Sequence, residues 1–200
     1  MQTSEYEYTA SYSSLCSALE NLYRTDEPKI IAIDGRCGSG KTTLAKQLAA
    51  KFDSTLFHMD DFFLPFELKT KERLSEPGGN VHYERFKEEV LRPLQSGNTT
   101  VHRPYNCQKK ALDDPIQTTF RHLTIVEGVY SLHPALQDFY DYKVFLTVDK
   151  NVQRKRIQKR NGKEKLETFI QKWIPLEEHY FDTLQLEKQC DLVVNTTFNQ

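Results

Sequence analysis

Cysteine is scarce in this sequence, and its four residues, Cys16, Cys37, Cys107 and Cys190, stand far apart with no C-x-x-C pair. That spacing excludes a disulfide framework, and the six histidines, spread singly, add no structural zinc pattern. Long hydrophobic runs are also missing. Ile30–Ile33 is typical of the longest, far short of the ~18 apolar residues that cross a bilayer, so no membrane partner is expected. The opening MQTSEYEYTASYSSL has neither a basic nor an apolar targeting region, and the chain is expected to be cytoplasmic. Nor is there an excess of either charge. Lys and Arg total 27 against 28 Asp and Glu, a net charge of −1, which excludes the basic footprint of a nucleic-acid binder.

What is present suits one folded domain, since a chain of 200 residues can bury about 70% of its unfolded surface without a metal or disulfide staple. Glycine is sparse at eight residues, yet Gly35, Gly38 and Gly40 fall within six positions. Ahead of them, residues 11–24 carry Leu15, Ala18, Leu19 and Leu22 at helical spacing and predict an amphipathic leading helix, giving a leading segment 1–27 and a main domain 28–200. KIIAID (29–34) reads as a strand buried on both faces, and TTLAKQLAAKF (42–52) as a helix with Leu44, Ala45, Leu48 and Ala49 in one stripe. Further strands are expected at 54–59, 123–128, 142–148 and 190–195, with a strand or hairpin arm at 99–105. Helices are expected at 83–97, 134–139, 151–160 and 166–184, the last interrupted by Pro175. Five apolar strands alternating with helices predict an α/β fold: a five-stranded parallel sheet covered on both faces, a three-layer αβα phosphate-loop architecture with the 151–160 helix as a lid.

Gly35-Arg36-Cys37-Gly38-Ser39-Gly40-Lys41-Thr42 matches G-x-x-x-x-G-K-[ST] between a strand and a helix, with Thr43 following. Glycines let the backbone curl so that successive N–H groups point at phosphate oxygens, and the next helix aims its positive end at the same anion. Lys41 would reach the β and γ phosphates and the Thr42 hydroxyl would ligate Mg²⁺. Arg36 and Cys37 occupy variable positions with no side-chain chemistry assigned. No N-K-x-D string reads guanine, so a GTPase is disfavoured.

The carboxylates narrow the chemistry. Asp60 and Asp61 follow the second strand and Glu127 ends the strand LTIVE, both at the carboxyl edge where neighbouring strands share a crevice. An aspartate there, read as Asp60, can take the proton of an attacking hydroxyl while helping to hold Mg²⁺, and an acid at Glu127 can hold a Mg²⁺-bound water. Arg154, Arg156 and Arg160 fall in one basic helix, where Arg156 and Arg160 share a face and could clamp a triphosphate.

The strings IAIDGRCGSGKTTLA, FHMDDFF, HRPYN and TIVEGVYSL, with the arginine helix, resemble the uridine kinase and phosphoribulokinase family of phosphate-loop kinases, most of all its bacterial uridine kinase-like members, over roughly residues 28–195. The resemblance implies ATP and Mg²⁺ as cofactors and phosphorylation of a small hydroxyl acceptor. It makes Asp60 the general base, puts Glu127 near metal and substrate, and sets Tyr105, with Phe63 closing the D-x-F-[YF] string, against the acceptor. The sequence departs from the uridine kinases in two places: no histidine follows Tyr105 closely, and neither Val81 nor His82 is the family's ribose-binding carboxylate. The acceptor reads as a nucleoside such as uridine or a nucleoside-like ribosyl compound. A pantothenate-like or sugar-phosphate acceptor, and a non-catalytic ATP-binding regulator, are the alternatives. Oligomeric state is not readable, and 67–82, polar with Gly78 and Gly79, reads as a flap over the acceptor.

Overall fold

The computed structural model describes residues 2–198, with side chains from Tyr8 onward; Met1, Asn199 and Gln200, at the outer ends of the two expected segments, lie outside the described residues. Helix α1 (Gln2–Tyr23) leads to strand β1 (Lys29–Gly35), the phosphate loop, helix α2 (Lys41–Lys51), strand β2 (Thr55–His58) and a 3₁₀ turn at Met59–Phe62. Helix α3 (Lys71–Ser75) precedes a longer helix made of α4 (Tyr83–Phe86), a π turn at Lys87–Leu91 and α5 (Arg92–Gln95). Two small hairpins follow, pairing β3 (Thr100–His102) with β6 (Ile116–Thr118) and β4 (Tyr105–Asn106) with β5 (Ala111–Leu112). Then come β7 (Leu123–Glu127), β8 (Tyr142–Thr147), α6 (Lys150–Asn161), α7 (Lys163–Thr168), a π turn at Phe169–Trp173, α8 (Ile174–Leu184), α9 (Leu186–Gln189) and β9 (Leu192–Asn195).

The five long strands form one parallel sheet in the order β2-β7-β1-β8-β9. Period-two alternation divides β1 between two cores: Ile31 and Ile33 join Leu15, Leu19, Leu44 and Leu48, whereas Ile30 and Ala32 join Phe57, Val126, Phe145 and Tyr180. Helices therefore cover both faces, and the strand at the centre of the sheet feeds the phosphate loop.

Helix α1 is longer than its apolar period. Its first turns are polar, so no hydrophobic stripe marks them, yet no Gly or Pro breaks the chain before Pro28. Leu15 and Leu19 are fully buried, which makes α1 part of the α2 face of the molecule. Of the strand or hairpin arm expected at 99–105, the structure has the hairpin form, split into two arms, β3 and β4, because Pro104 lacks the N–H a continuous ladder would use. The expected break at Pro175 is also replaced: helical geometry continues, with the π turn Phe169–Trp173 just ahead of the proline. Pro93 has the same arrangement behind Lys87–Leu91. One extra residue in the turn shifts the register where a proline removes an N–H and crowds the preceding carbonyl.

The 67–82 segment carries its own clamp. The Arg73 guanidinium donates to Gly79 O and Val81 O (both 3.1 Å), meets both Glu84 oxygens (2.6 and 2.8 Å) and lies 4.2 Å from the Tyr83 ring centroid. No described helix is long and apolar enough to cross a membrane.

Candidate active site

Gly38 and Gly40 hold φ of 73° and 96°, in the left-handed region that favours glycine, and Gly40 begins α2 with no side-chain cap. The first N–H groups of α2 are thus left for an anion. Lys41 folds back over the loop, its Nζ donating to Gly35 O at 2.6 Å and Arg36 O at 3.0 Å. The loop is braced from outside. The Arg36 N–H donates to Leu146 O (3.0 Å), the Cys37 N–H to a Glu177 carboxylate oxygen (3.0 Å), and Gln153 Nε2 to Cys37 O (3.0 Å).

The Arg36 side chain turns out to Glu178, Glu187 and Thr147, with its shortest bond 2.7 Å long. Burial, aided by Glu177, raises the Cys37 thiol far above its usual range. Of the expected phosphate-binding segment, Cys37, Gly38, Gly40, Lys41, Thr42 and Thr43 line a cavity of about 490 Å³, while Gly35, Arg36 and Ser39 do not.

The strand register assembles the acids. His58 of β2 pairs opposite Glu127 of β7, and Ile33 of β1 pairs opposite the same residue, so three strand ends meet beside the loop. Glu127, only 4% exposed, takes a hydrogen bond from Thr42 Oγ1 (3.0 Å) and one with His58 Nδ1 (2.6 Å). That bond favours the charged imidazole and raises the His58 pKa against the effect of burial. Asp60 opens into the cavity and Asp61 does not line it, which decides between the two neighbours. The cavity walls desolvate Asp60 and raise its pKa, Glu127 adds to the rise, and Lys41 opposes it.

Asp34, at the end of β1, is fully buried and accepts from the Gly35 and Leu132 N–H groups (2.6 and 2.9 Å) and from the Tyr180 hydroxyl (3.0 Å). Burial outweighs these donors and lifts its pKa from near 3.8 to about 6. The folded state therefore holds this proton more tightly than the unfolded chain. Asp34 should contribute a loss of about 3 kcal/mol of stability as pH rises from about 4 to about 6. Urea midpoints across that window should fall more steeply for the wild type than for Asp34→Asn; parallel curves would remove Asp34 from the account.

Not every expected residue reaches the cavity. Phe63, Arg156 and Arg160 line it, as does Glu127. Tyr105 does not: it is 8% exposed in β4, tied into the hairpin, and Cys107, two residues further on in the hairpin turn, meets the cavity instead. Arg156 is also fixed rather than free, since its guanidinium donates to Gly38 O (3.3 Å), Thr196 O (2.8 Å) and Phe198 O (3.1 Å) and lies 5.5 Å from the Phe198 ring centroid. Arg154 is exposed and away from the cavity. Residues the sequence did not single out are His58, Asp34, Glu177 and, on the cavity wall, Lys69, Asn80, Phe169 and Trp173. Asp34 alone left a mark, as an acid inside an apolar strand.

Among the described residues no group of three or more His, Cys, Asp or Glu could cage a metal ion. Mg²⁺ needs no such cage, since it keeps waters and uses one or two protein oxygens with substrate phosphates. Thr42 Oγ1 and Glu127 Oε1, 3.0 Å apart beside the loop, fit that role.

Sheet order, loop and helix together define a phosphate-loop α/β nucleotide-binding fold. The NB-ARC domain family model matches residues 13–64, the stretch around the loop. The chain is similar to bacterial uridine kinases: it is 27% identical over 139 residues to a uridine kinase of Clostridium botulinum (62% of this chain, 65% of that protein), and 28% identical over 169 residues to one of Oceanobacillus iheyensis (74% and 76%). The chain thus spans just under two thirds of the length of the Clostridium relative. A possible uridine kinase of Bacillus stearothermophilus shares the fold, with TM-score 0.70 and 21% identity over 92% of this chain and 97% of that one.

Proposed function

We propose that this protein is an ATP- and Mg²⁺-dependent phosphotransferase acting on a hydroxyl of a small molecule, with a nucleoside or nucleoside-like ribosyl compound as acceptor. The observation that carries the reading is the convergence of Lys41, Thr42, Glu127 and Asp60 on one cavity at the carboxyl ends of β1, β2 and β7. Lys41 and the amides at the start of α2 hold the β and γ phosphates, and Arg160 adds charge from α6. Thr42 and Glu127 would hold Mg²⁺, which neutralises phosphate charge when bound. Asp60 accepts the acceptor proton as the new O–P bond forms and the bond to the β-phosphate oxygen breaks. Its raised pKa makes it a better proton acceptor near neutral pH than an ordinary aspartate.

Phe63, Phe169 and Trp173 give the cavity aromatic walls suited to a planar base. A second reading is favoured by Lys69, which lines the same cavity and forms no ion pair among the described residues: an anionic acceptor such as a sugar phosphate or a pantothenate-like carboxylate. A non-catalytic ATP sensor would have no use for a base at Asp60. Acceptor-stimulated ADP release, screened with MgATP against nucleosides, vitamins, sugars and sugar phosphates, separates the three. Stimulation by nucleosides supports the first reading, stimulation only by anionic acceptors the second, and ATP binding with silence across the panel would leave the sensor.

A further inference from the structure

A second cavity, of about 1070 Å³, lies against the first and shares Gly40, Thr43, Arg156 and Arg160 with it. Its charges are all of one sign. Lys155, Arg156, Lys159 and Arg160 line it, and among the described residues no Asp or Glu does. Ser39, 1% exposed, also lines it, and its hydroxyl has no hydrogen-bond partner among the described residues.

An aromatic surface forms part of the remaining wall, beside Leu44, Gln47, Leu146, Val152 and Thr196. Tyr8 of α1 sits with its ring centroid 4.7 Å from that of Phe198, tilted by 46°, and Tyr12 stacks behind it at 6.3 Å and 25°. Arg156 fixes this arrangement, since it holds the 196–198 backbone by its carbonyls and lies over the Phe198 ring. An unpartnered hydroxyl, a rim of four basic side chains and a ring surface, continuous with a phosphate loop, suit a ligand with a polyanionic end and a flat apolar end.

We infer that α1 is a working wall of the donor site: the nucleobase of the phosphoryl donor packs on the Tyr8–Tyr12–Phe198 surface, while its phosphates pass Arg156, Gly40 and Thr43 into the loop. This rests on the nucleotide reading of the loop given above, and it makes Tyr8 a specificity-determining residue. Cation and ring faces favour a large π-system over a small one, so a purine gains more from this wall than a pyrimidine.

The test compares ATP with inorganic tripolyphosphate, which has the charge without the base, by titration calorimetry on the full chain. The wild type should bind ATP more tightly than tripolyphosphate. Tyr8→Ala should weaken ATP about 5- to 50-fold and leave tripolyphosphate unchanged, with Tyr8→Phe restoring ATP affinity. Equal loss of both ligands in Tyr8→Ala, or unchanged ATP affinity in the Tyr8→Ala/Tyr12→Ala double variant with native circular dichroism, would overturn the inference and leave the phosphate loop reading intact. A wild type that binds neither ligand would overturn both.

Discussion

Asp60→Asn is expected to lower turnover by about 10²–10⁴-fold and to leave ATP affinity within a few-fold of the wild type. Asparagine keeps the shape of the side chain and cannot take a proton. The position matters as much as the chemistry. Asp60 is the second residue of the 3₁₀ turn Met59–Phe62 that follows β2, so it leaves the sheet beside Glu127 and opens into the cavity that holds Lys41. Its raised pKa has a corollary: the wild type should lose activity on acidification above the ordinary aspartate range, because desolvation by the cavity walls and the charge of Glu127 both favour the protonated, inactive form. Steady-state ADP release and ATP titration separate the two effects. A variant that turns over at the wild-type rate would take Asp60 out of the chemistry.

Gly35→Ala should be the most damaging small substitution in the phosphate loop. Gly35 has φ of 133°, where an L side chain is strained, and a Cβ there would stand 2.6 Å from the backbone nitrogen of Leu146 and 2.8 Å from its carbonyl carbon. Neither atom belongs to a flexible side chain. Relief would require β1 and β8 to part just where the Gly35 N–H binds Asp34 (2.6 Å) and the Arg36 N–H binds Leu146 O (3.0 Å). Strain and overpacking together should cost about 3–5 kcal/mol, a large part of the roughly 5–15 kcal/mol that holds a domain folded. A urea midpoint shifted by that amount, with nucleotide binding lost, is the expected result; a native-like midpoint would contradict the packing described for β1 and β8.

The same geometry shows which parts of the site were legible in the residues alone. The five strands announce themselves as apolar, β-branched runs, and the loop as glycines ahead of Lys41 and Thr42. Asp60 and Glu127 follow because an acid at the end of a buried strand has few other uses. His58 could not be found this way: its bond to Glu127 depends on the β2–β7 register, which no local pattern encodes. Glu177 is hidden for a related reason, since it braces Cys37 from 140 residues away and from a helix whose course depends on a π turn before Pro175. Tyr105 is expected against the acceptor only through the resemblance, and its pairing in the β4–β5 hairpin leaves it off the cavity wall. Arg156 was legible as a cation on the right helix, but its duty as a clamp on Gly38 and the 196–198 backbone needed the packed structure.

Phosphorus-31 NMR of the protein with MgATP and each acceptor that stimulates ADP release tests the central claim most directly. The account predicts a new phosphomonoester resonance growing in step with ADP, and its absence in Asp60→Asn. ATP converted to ADP and inorganic phosphate alone, with no phosphomonoester from any acceptor, would contradict it.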